Sequence, residues 1–352
     1  MSDEILSARR GSVGQIVINR PRALNALTGP MFAEIGRVLD HWRDDDGVEA
    51  VVIRGEGSAF SAGGDIRFVR DMVTAGDDAG IARMYADEYR LDAQIDAFPK
   101  PYVAAVDGYC MGGGLGVAMY ADVVAVTERV LVAMPEVGIG FFPDVGTSHV
   151  LPRLPYRIGW YMGLTGARLS AVDAIACGLA THLVDEATFA RIEELVDENT
   201  SLDALVALLE SKPDPVARID ALRPAIARCF DQPDLAGVLA VLEREDGAWA
   251  AEALAAMRKA SPTSLAITFE LFRRGSTLTL AECLEMEYQL AVRVCRTPEF
   301  LEGVRAMVVD KDRTPRWNPA TIEALQPEAL DALWSEIDVG RNELRLAPVV
   351  SP

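Results

Sequence analysis

The stretch PYVAAVDGYCMGGGLG, Pro101 to Gly116, decides the fold, because an apolar strand pattern runs into a glycine-rich turn and then into the start of a helix. The same order occurs earlier, where AVVIRG precedes the turn FSAGGDI, Phe60 to Ile66, and the helical pattern IRFVRDMV. Alternating strands and helices predict an α/β fold with parallel strands, and its binding loops should lie at the strand ends.

The character of the sequence changes near Val184. Beyond this residue, helical patterns such as SLDALVALLESK (201–212) and LAECLEMEYQLAVRVC (280–295) dominate, and few strand candidates remain. We therefore predict an α/β core over residues 1–186 and a mostly helical region over residues 187–352.

The composition argues against several kinds of partner. The formal net charge of −19 disfavours sequence-independent binding to nucleic acid or to an anionic membrane. No apolar run approaches membrane-spanning length. Five scattered cysteines and three distant histidines predict neither a disulfide framework nor a zinc site. The acidic N-terminus, without an apolar segment, predicts no secretory or transit signal, so the expected location is a reducing cytoplasm.

Both glycine turns place backbone without side chains at the start of a predicted helix. In the first turn, Asp65 follows Gly63 and Gly64 and is positioned to cap that helix. Neither turn continues as a phosphate-binding GK[ST] loop or matches the dinucleotide-binding GxGxxG pattern. Two interpretations remain: tight connections that need glycine for a positive φ, or an oxyanion hole in which each N–H donor is worth roughly 3 kcal/mol to a charged intermediate.

These turns and their surroundings resemble the crotonase, or enoyl-CoA hydratase/isomerase, superfamily. The resemblance rests on NRPRALNAL (19–27), SAFSAGGDI (58–66), DGYCMGGGLG (107–116) and MPEVGIGFFPDVG (134–146). It implies a crotonase-like spiral core of ββα units with a C-terminal helical region, and an acyl-CoA thioester as ligand. It also implies an oxyanion hole made by the N–H groups of Gly64 and Gly113.

Two carboxylates in the fourth motif indicate which chemistry of the superfamily to expect. Hydratases of this family use two glutamates, and the resemblance places Gly116 where the first would stand and Glu136 at the second. Asp144 follows eight positions after Glu136, beyond a turn that can fold back and bring both carboxyls to one pocket. One acid can then act as nucleophile or base while its neighbour keeps a proton. The alternatives are an N-cap for Asp144 and a solvated strand end for Glu136.

The combination of Glu136, Asp144 and Gly116 resembles the 3-hydroxyisobutyryl-CoA hydrolase branch of the superfamily. The resemblance continues through DEYRLDAQI (87–95), SPTSLAIT (261–268), LEMEYQLA (284–291) and EGVRAMVVDKDRTPRW (302–317). It implies hydrolysis of a short-chain 3-hydroxyacyl-CoA thioester, with 3-hydroxyisobutyryl-CoA of valine catabolism as the preferred substrate. No metal or separate cofactor is implied, because CoA is part of the substrate.

The same resemblance implies further substrate contacts. It places Glu88 at the substrate, as a partner for the acyl hydroxyl, although an ordinary charge on a helix face is the simpler reading of this residue alone. It adds Ala62 and Asp65 of the first glycine turn, and it assigns Arg22 to the CoA phosphates, against the alternative of a solvated arginine.

Two other functions remain open at this point. One is an enoyl-CoA hydratase or isomerase with Glu136 as its main acid and base. The glycine at position 116 argues against this function. The other is a non-catalytic acyl-CoA binding protein that retains the oxyanion hole. Crotonase relatives assemble as trimers or dimers of trimers, so the resemblance also implies a homo-oligomer.

Overall fold

The computed structural model describes residues 3–197, 203, 205, 207 and 217–346. The strands are β1 (Ile5–Arg10), β2 (Val13–Ile18), β3 (Ala50–Gly55), β4 (Ala59–Ser61), β5 (Tyr102–Val106), β6 (Tyr109–Met111), β7 (Val123–Val126), β8 (Leu131–Ala133), β9 (Leu169–Ser170) and β10 (His182–Leu183). They form two sheets, which together set the positions of the glycine turns.

The helices occupy most of the remaining described chain. They are α1 (Gly29–Arg43), α2 (Ile66–Ala75), α3 (Asp78–Asp96), α4 (Gly113–Met119), α5 (Thr147–Val150), α6 (Ile158–Thr165), α7 (Ala171–Cys177), α8 (Glu186–Asp197), α9 (Arg218–Phe230), α10 (Leu235–Leu242), α11 (Ala248–Lys259), α12 (Pro262–Gly275), α13 (Leu280–Val294), α14 (Pro298–Val304) and α15 (Pro327–Ser335). Short 3-10 turns include Pro21–Ala23 and Glu136–Ile139. No helix among the described residues is both long enough and apolar enough to cross a bilayer.

The large sheet has the strand order β1-β2-β3-β5-β7-β10, and its neighbours from β2 onward run parallel. The small sheet has the order β4-β6-β8-β9. Each of β3, β5 and β7 leads directly into a strand of the small sheet, and β4 and β6 lead on into α2 and α4. These are the ββα units that the resemblance implied, so the prediction of an α/β crotonase-like fold is confirmed.

The chain forms two compact units, each built from separated stretches. The first comprises residues 1–64, 90–132 and 169–220, and the second comprises residues 65–89, 133–168 and 221–352. After Leu183 the described residues contain helices and no strand, as the later sequence pattern indicated. The helical pattern at 201–212 lies outside the described residues except for 203, 205 and 207. A single boundary at residue 186 stays a prediction.

The core of the first unit lies against the large sheet. Strand β2 is buried along its whole length, as expected for a parallel strand with both faces covered. The buried cluster on one side of this sheet contains Val13, Val52, Val103, Ala105, Ala125, Val184, Phe189, Ile192 and Leu205. Helix α8 therefore packs on the sheet through Phe189 and Ile192.

In the second unit, helix α13 buries polar as well as apolar residues. A capping box fixes its start, because the Thr279 hydroxyl accepts from the Glu282 N–H at 3.3 Å and the Glu282 carboxylate accepts from the Thr279 N–H at 2.8 Å. Beyond this cap, Glu285 and Glu287 are at most 3% exposed. Ionisable side chains are seldom buried this deeply unless they have partners or a function.

Asn25 fixes the chain segment that approaches the first glycine turn. The residue is fully buried and has a left-handed backbone with φ of 55°. Its side-chain amide donates to the carbonyls of Glu56 at 2.9 Å and Ala59 at 2.6 Å, and its side-chain oxygen accepts from the Arg20 N–H at 2.8 Å. Its own carbonyl accepts from the Ser61 hydroxyl at 2.8 Å. One side chain therefore bonds three backbone groups.

Replacement of Asn25 by alanine should lower the free energy of unfolding by about 2–4 kcal/mol, because the lost amide leaves buried carbonyls unsatisfied. Urea unfolding followed by circular dichroism measures the change. Asn19→Ala is the control, since the Asn19 side chain makes one exposed hydrogen bond, to the Asp3 carbonyl at 2.9 Å. Equal losses in the two variants would contradict the role given to Asn25.

Candidate active site

The two glycine turns lie side by side in the first unit. Strands β4 and β6 are parallel neighbours, so the turns that follow them leave the sheet at the same edge. Gly63 has φ of 103°, and a β-carbon placed on it would lie 2.9 Å from the Met111 carbonyl oxygen and 3.5 Å from the Gly113 nitrogen. Glycine is therefore required at position 63 by the backbone angle and by the close contact between the turns.

The backbone N–H groups of Gly64 and Gly113 have no acceptor among the described residues. The Gly63 N–H is used internally, since it donates to the Ser61 hydroxyl at 3.2 Å. Gly113 is the first residue of α4, where an N–H lacks an intrahelical partner. The two groups named by the sequence are thus available as donors, and their role in an oxyanion hole stays a prediction.

The other residues predicted around the first turn have varied environments. Ala62 is exposed, and its N–H donates to the Leu24 carbonyl at 2.9 Å. Asp65 caps α2, because its carboxylate accepts from the Phe68 N–H at 3.1 Å, which confirms the predicted cap. Arg22 is exposed in the 3-10 turn Pro21–Ala23. The substrate contacts assigned to these three residues stay predictions.

The second unit brings together four buried carboxyl groups: Glu88 of α3, Glu136, Asp144 and Glu287 of α13. Each is at most 7% exposed. In all four, burial is the largest cause of a raised pKa, and the charge of Asp144 adds to the rise at Glu88, Glu136 and Glu287. The sequence predicted that Glu136 and Asp144 meet, and the structure places both in one cluster.

Asp144 accepts a hydrogen bond from the Tyr89 hydroxyl at 2.7 Å. Burial raises the pKa of Asp144 to about 7, although this hydrogen bond lowers it. The interpretation of the Asp144 side chain as an N-cap is wrong. Gly146 is the N-cap residue of α5, no side chain among the described residues caps this helix, and the Asp144 carboxylate accepts from Tyr89 instead.

Glu136 opens the 3-10 turn after β8 and is 7% exposed. Its Oε2 atom is buried and has no hydrogen-bond partner among the described residues. Burial and the charge of Asp144 raise its pKa well above the ordinary value for glutamate. The reading of Glu136 as a solvated strand end is wrong, as is the reading of Glu88 as a surface charge, since Glu88 is 3% exposed.

Sequence reasoning missed Tyr89 and Glu287, which also belong to this cluster. Tyr89 directly follows Glu88 in the quoted DEYRLDAQI motif and gave no separate signal. Glu287 did give one. It interrupts the apolar stripe Leu280, Leu284, Ala291 and Val294 at helical spacing, so the pattern itself places a carboxyl on the buried face of α13.

The carboxyls differ in the hydrogen-bond donors that reach them, and this difference decides which protonation state each one favours. Asp144 has a phenol donor, Glu287 accepts from two backbone N–H groups, and Glu136 Oε2 finds no donor in the part of the chain that the structure describes. Hydrogen bonds to a carboxylate favour its charged form, whereas burial without donors favours the proton. A cluster of this kind can hold a base and an acid side by side at neutral pH.

Comparison with known proteins identifies the family. The family model described as enoyl-CoA hydratase/isomerase matches residues 13–334. The chain therefore belongs to the enoyl-CoA hydratase/isomerase family, of the crotonase fold. Among curated proteins, it is 37% identical to "3-hydroxyisobutyryl-CoA hydrolase, mitochondrial" of Gallus gallus, over 97% of this chain and 91% of the relative. It is 36% identical to the Homo sapiens protein of the same name, over 94% and 88%.

Solved structures give the same fold under other enzyme names. An enoyl-CoA hydratase from Rhodobacter sphaeroides 2.4.1 superposes with a TM-score of 0.87 at 40% identity, covering 99% of this chain and 98% of that one. A carnitinyl-CoA dehydratase from Mycobacterium thermoresistibile also gives a TM-score of 0.87, at 35% identity and the same coverage. The fold is therefore shared among relatives that are named for different reactions.

The buried cluster predicts a specific pH dependence of stability. Asp144 has a higher pKa in the folded chain than its ordinary value of 3.8, so it binds a proton more tightly when folded. Its contribution to stability is full below about pH 4 and is lost as the pH rises toward about 7. Asp144→Asn should remove this loss, so wild type should become less stable relative to the variant across that interval. Urea unfolding at a series of pH values measures it.

The control for this experiment is Asp71→Asn, because the Asp71 side chain is 64% exposed. The difference between wild type and the control should stay nearly constant over the same pH range. A constant difference between wild type and Asp144→Asn would contradict the burial of an ionisable Asp144.

Proposed function

We propose that this protein hydrolyses a short-chain 3-hydroxyacyl-CoA thioester, specifically 3-hydroxyisobutyryl-CoA, to 3-hydroxyisobutyrate and free CoA. The observation that carries the proposal is the cluster of buried carboxyls around Glu136 and Asp144 in a chain that has glycine at position 116. The names of the chicken and human relatives support the choice of substrate.

In this proposal the N–H groups of Gly64 and Gly113 stabilise the thioester oxygen as it becomes negative. Glu136 either attacks the carbonyl carbon itself or removes a proton from water that attacks it. The bond between carbon and sulfur then breaks, and Asp144 gives its proton to the departing CoA thiolate. Tyr89 contributes by orienting the Asp144 carboxyl through its hydroxyl.

The remaining residues of the proposed site are assigned to binding of the substrate. Glu88, buried in the cluster, is the partner proposed for the 3-hydroxyl of the acyl group. Ala62 and Asp65 are assigned to substrate contacts at the first turn, and the exposed Arg22 is assigned to the CoA phosphates. No metal ion and no separate cofactor enter this reaction, because CoA arrives as part of the substrate.

The proposed setting is valine catabolism, which generates a thioester of this class. We keep the cytoplasm as the proposed location, and the mitochondrial names of the animal relatives point to the alternative. The five cysteines are free and buried, which suits a reducing compartment of either kind. A homo-oligomer, either a trimer or a dimer of trimers, remains part of the proposal and rests on the family resemblance alone.

Hydration of an enoyl-CoA is the second candidate, favoured by the name of the 40% identical Rhodobacter protein. The buried Gly116 of α4 carries no side chain where the resemblance places the first hydratase glutamate. That position therefore cannot supply the first of two acids. A non-catalytic acyl-CoA binding protein is the remaining alternative.

Purified protein should release CoA thiol from 3-hydroxyisobutyryl-CoA without hydrating crotonyl-CoA. A thiol reagent reports the first reaction and ultraviolet absorbance the second. Because the chain's cysteines are buried, its own thiols contribute little to the signal at low enzyme concentration. Glu136→Gln should lower kcat by about 10²–10⁴-fold, since it removes the proposed base or nucleophile.

The outcomes separate the three candidates. Hydration without thiol release would establish the hydratase and overturn the proposal. A protein that binds substrate without either reaction would be a binding protein. Unchanged hydrolysis in both Glu136→Gln and Asp144→Asn would show that the carboxyl cluster is not the active site.

Direct attack by Glu136 is the route we expect. A proton on Asp144 removes the neighbouring charge that opposes ionisation of Glu136, and the resulting anion is reactive because its Oε2 atom lacks a hydrogen-bond donor among the described residues. The product of that attack is a mixed anhydride, and water then attacks its Glu136 carbonyl carbon, which releases 3-hydroxyisobutyrate and returns the Glu136 carboxylate with one oxygen from water. After a single turnover in ¹⁸O-labelled water, peptide mass spectrometry should find the label in Glu136. Label confined to the product acid, together with no hydroxamate on addition of hydroxylamine, would indicate direct attack by water instead.

A further inference from the structure

Glu287 contacts the segment that follows Asp144. It lies fully buried in α13, where its Oε2 accepts from the Gly146 N–H at 2.5 Å and its Oε1 accepts from the Ser148 N–H at 3.0 Å. Both carboxyl oxygens are therefore engaged by one short stretch of backbone. Hydrogen bonds from N–H groups to an ionised carboxylate are stronger than those between neutral groups.

The contacted turn has a backbone that needs outside support. Val145 has φ of 58°, and Gly146 has φ of 79°. A branched residue such as valine is strained in the left-handed region. The turn has a hydrogen bond of its own from the Thr147 N–H to the Asp144 carbonyl at 3.0 Å. The carboxylate of Glu287 adds two more bonds, on the far side of the strained residue.

The surroundings of Asp144 are acidic. The titratable side chains whose pKa is raised by the charge of Asp144 are Tyr85, Glu88 and Tyr89 from α3, Glu136 from its 3-10 turn and Glu287 from α13. The influence between two charges is mutual, so an ionised Glu287 also opposes ionisation of Asp144.

The hydrogen bonds indicate how a proton divides between these two carboxyls. Two N–H groups can only donate, and they favour the charged form of Glu287. The Tyr89 hydroxyl can donate to an ionised Asp144 or accept from a protonated one, so it allows either state. Burial raises the pKa of both carboxyls, that of Glu287 to about 8 and that of Asp144 to about 7. Because the two groups share one buried region and titrate together, we place the proton by their donors: only Glu287 faces two groups that cannot accept, so Asp144 is the better place for the proton.

We propose that Glu287 is a positioning residue for the hydrolysis assigned to this chain: it holds the strained turn that presents Asp144, and its negative charge keeps a proton on Asp144. This inference rests on the proposed function, in which Asp144 protonates the leaving thiolate. It assigns to α13 a part in catalysis that involves no contact with the reacting atoms.

Glu287→Gln tests the charge. Glutamine keeps the shape of the side chain and can accept one of the two N–H groups, but it carries no charge. Without the neighbouring charge, Asp144 should lose its proton at lower pH. The alkaline limb of the profile of kcat/KM against pH should therefore move down by about one pH unit, and kcat should fall about tenfold at neutral pH.

Glu285→Gln is the matched control on the same helix. Glu285 is 3% exposed and accepts from the Leu344 N–H at 3.0 Å and from the Gln289 amide at 2.8 Å. The control removes an equally buried carboxyl and a backbone contact without touching the turn after Asp144. It should lower the unfolding free energy but leave the alkaline limb where it is in wild type.

Glu287→Asp separates the charge from the contact. It keeps the charge on a shorter side chain, so the alkaline limb should stay near its wild-type position while kcat falls. If Glu287→Gln does not fold, Glu287→Asp alone tests the proposal. A shift of the alkaline limb of Glu287→Asp to lower pH would then contradict it. The proposal is overturned if Glu287→Gln folds, loses about as much stability as Glu285→Gln, and keeps its alkaline limb at the wild-type pH.

A titration without substrate distinguishes failure of this inference from failure of the proposed function. The carboxyl carbon of Asp144 can be followed by NMR in protein labelled with ¹³C-aspartate, with Asp144→Asn to assign the signal. Its midpoint should lie at lower pH in Glu287→Gln than in wild type, whatever the substrate is. An unchanged midpoint would sink the inference even if the protein hydrolyses 3-hydroxyisobutyryl-CoA.

Discussion

Removal of carboxyl groups from water is the constraint on which the second unit depends. An isolated carboxylate in a protein interior is strongly unfavourable, and each neighbour of the same sign adds to the cost. Here four acids share one buried region, so their protonation states are linked and the donors around each decide which one is charged. The arrangement costs stability at neutral pH, and such costs are typical of sites where proton transfer is the task.

The first unit meets a different constraint, the close approach of two backbone turns. Parallel pairing of β4 with β6 brings their ends to one edge, and the missing side chain of Gly63 lets the following segments touch. Hydrogen bonds from buried amide and hydroxyl groups then keep these backbone segments together, and the Asn25 side chain is central among them. Where the turns meet, the N–H groups of Gly64 and Gly113 find no acceptor within the described ranges, and such groups are suited to an oxygen that gains charge during a reaction.

Much of the fold and part of the candidate site were accessible from the sequence. The strand patterns and glycine turns predicted the parallel α/β core, and the pairing of Glu136 with Asp144 followed from a short turn between them. Local reasoning failed for single polar residues, because one glutamate or aspartate is usually on the surface and only tertiary packing reveals the exception. Tyr89 could not be found in this way. Glu287 could, since a carboxyl at helical spacing within an apolar stripe is visible in the sequence of α13.

The burial of all five cysteines has a consequence for the proposed hydrolysis, whose product is a thiol. Free CoA accumulates beside a protein that releases it, and under oxidising conditions a thiol product forms mixed disulfides with accessible protein thiols. Burial raises the pKa of Cys110, Cys283 and Cys295 to about 12, which leaves almost no thiolate to react. The fold thereby protects the chain from covalent capture by its own product.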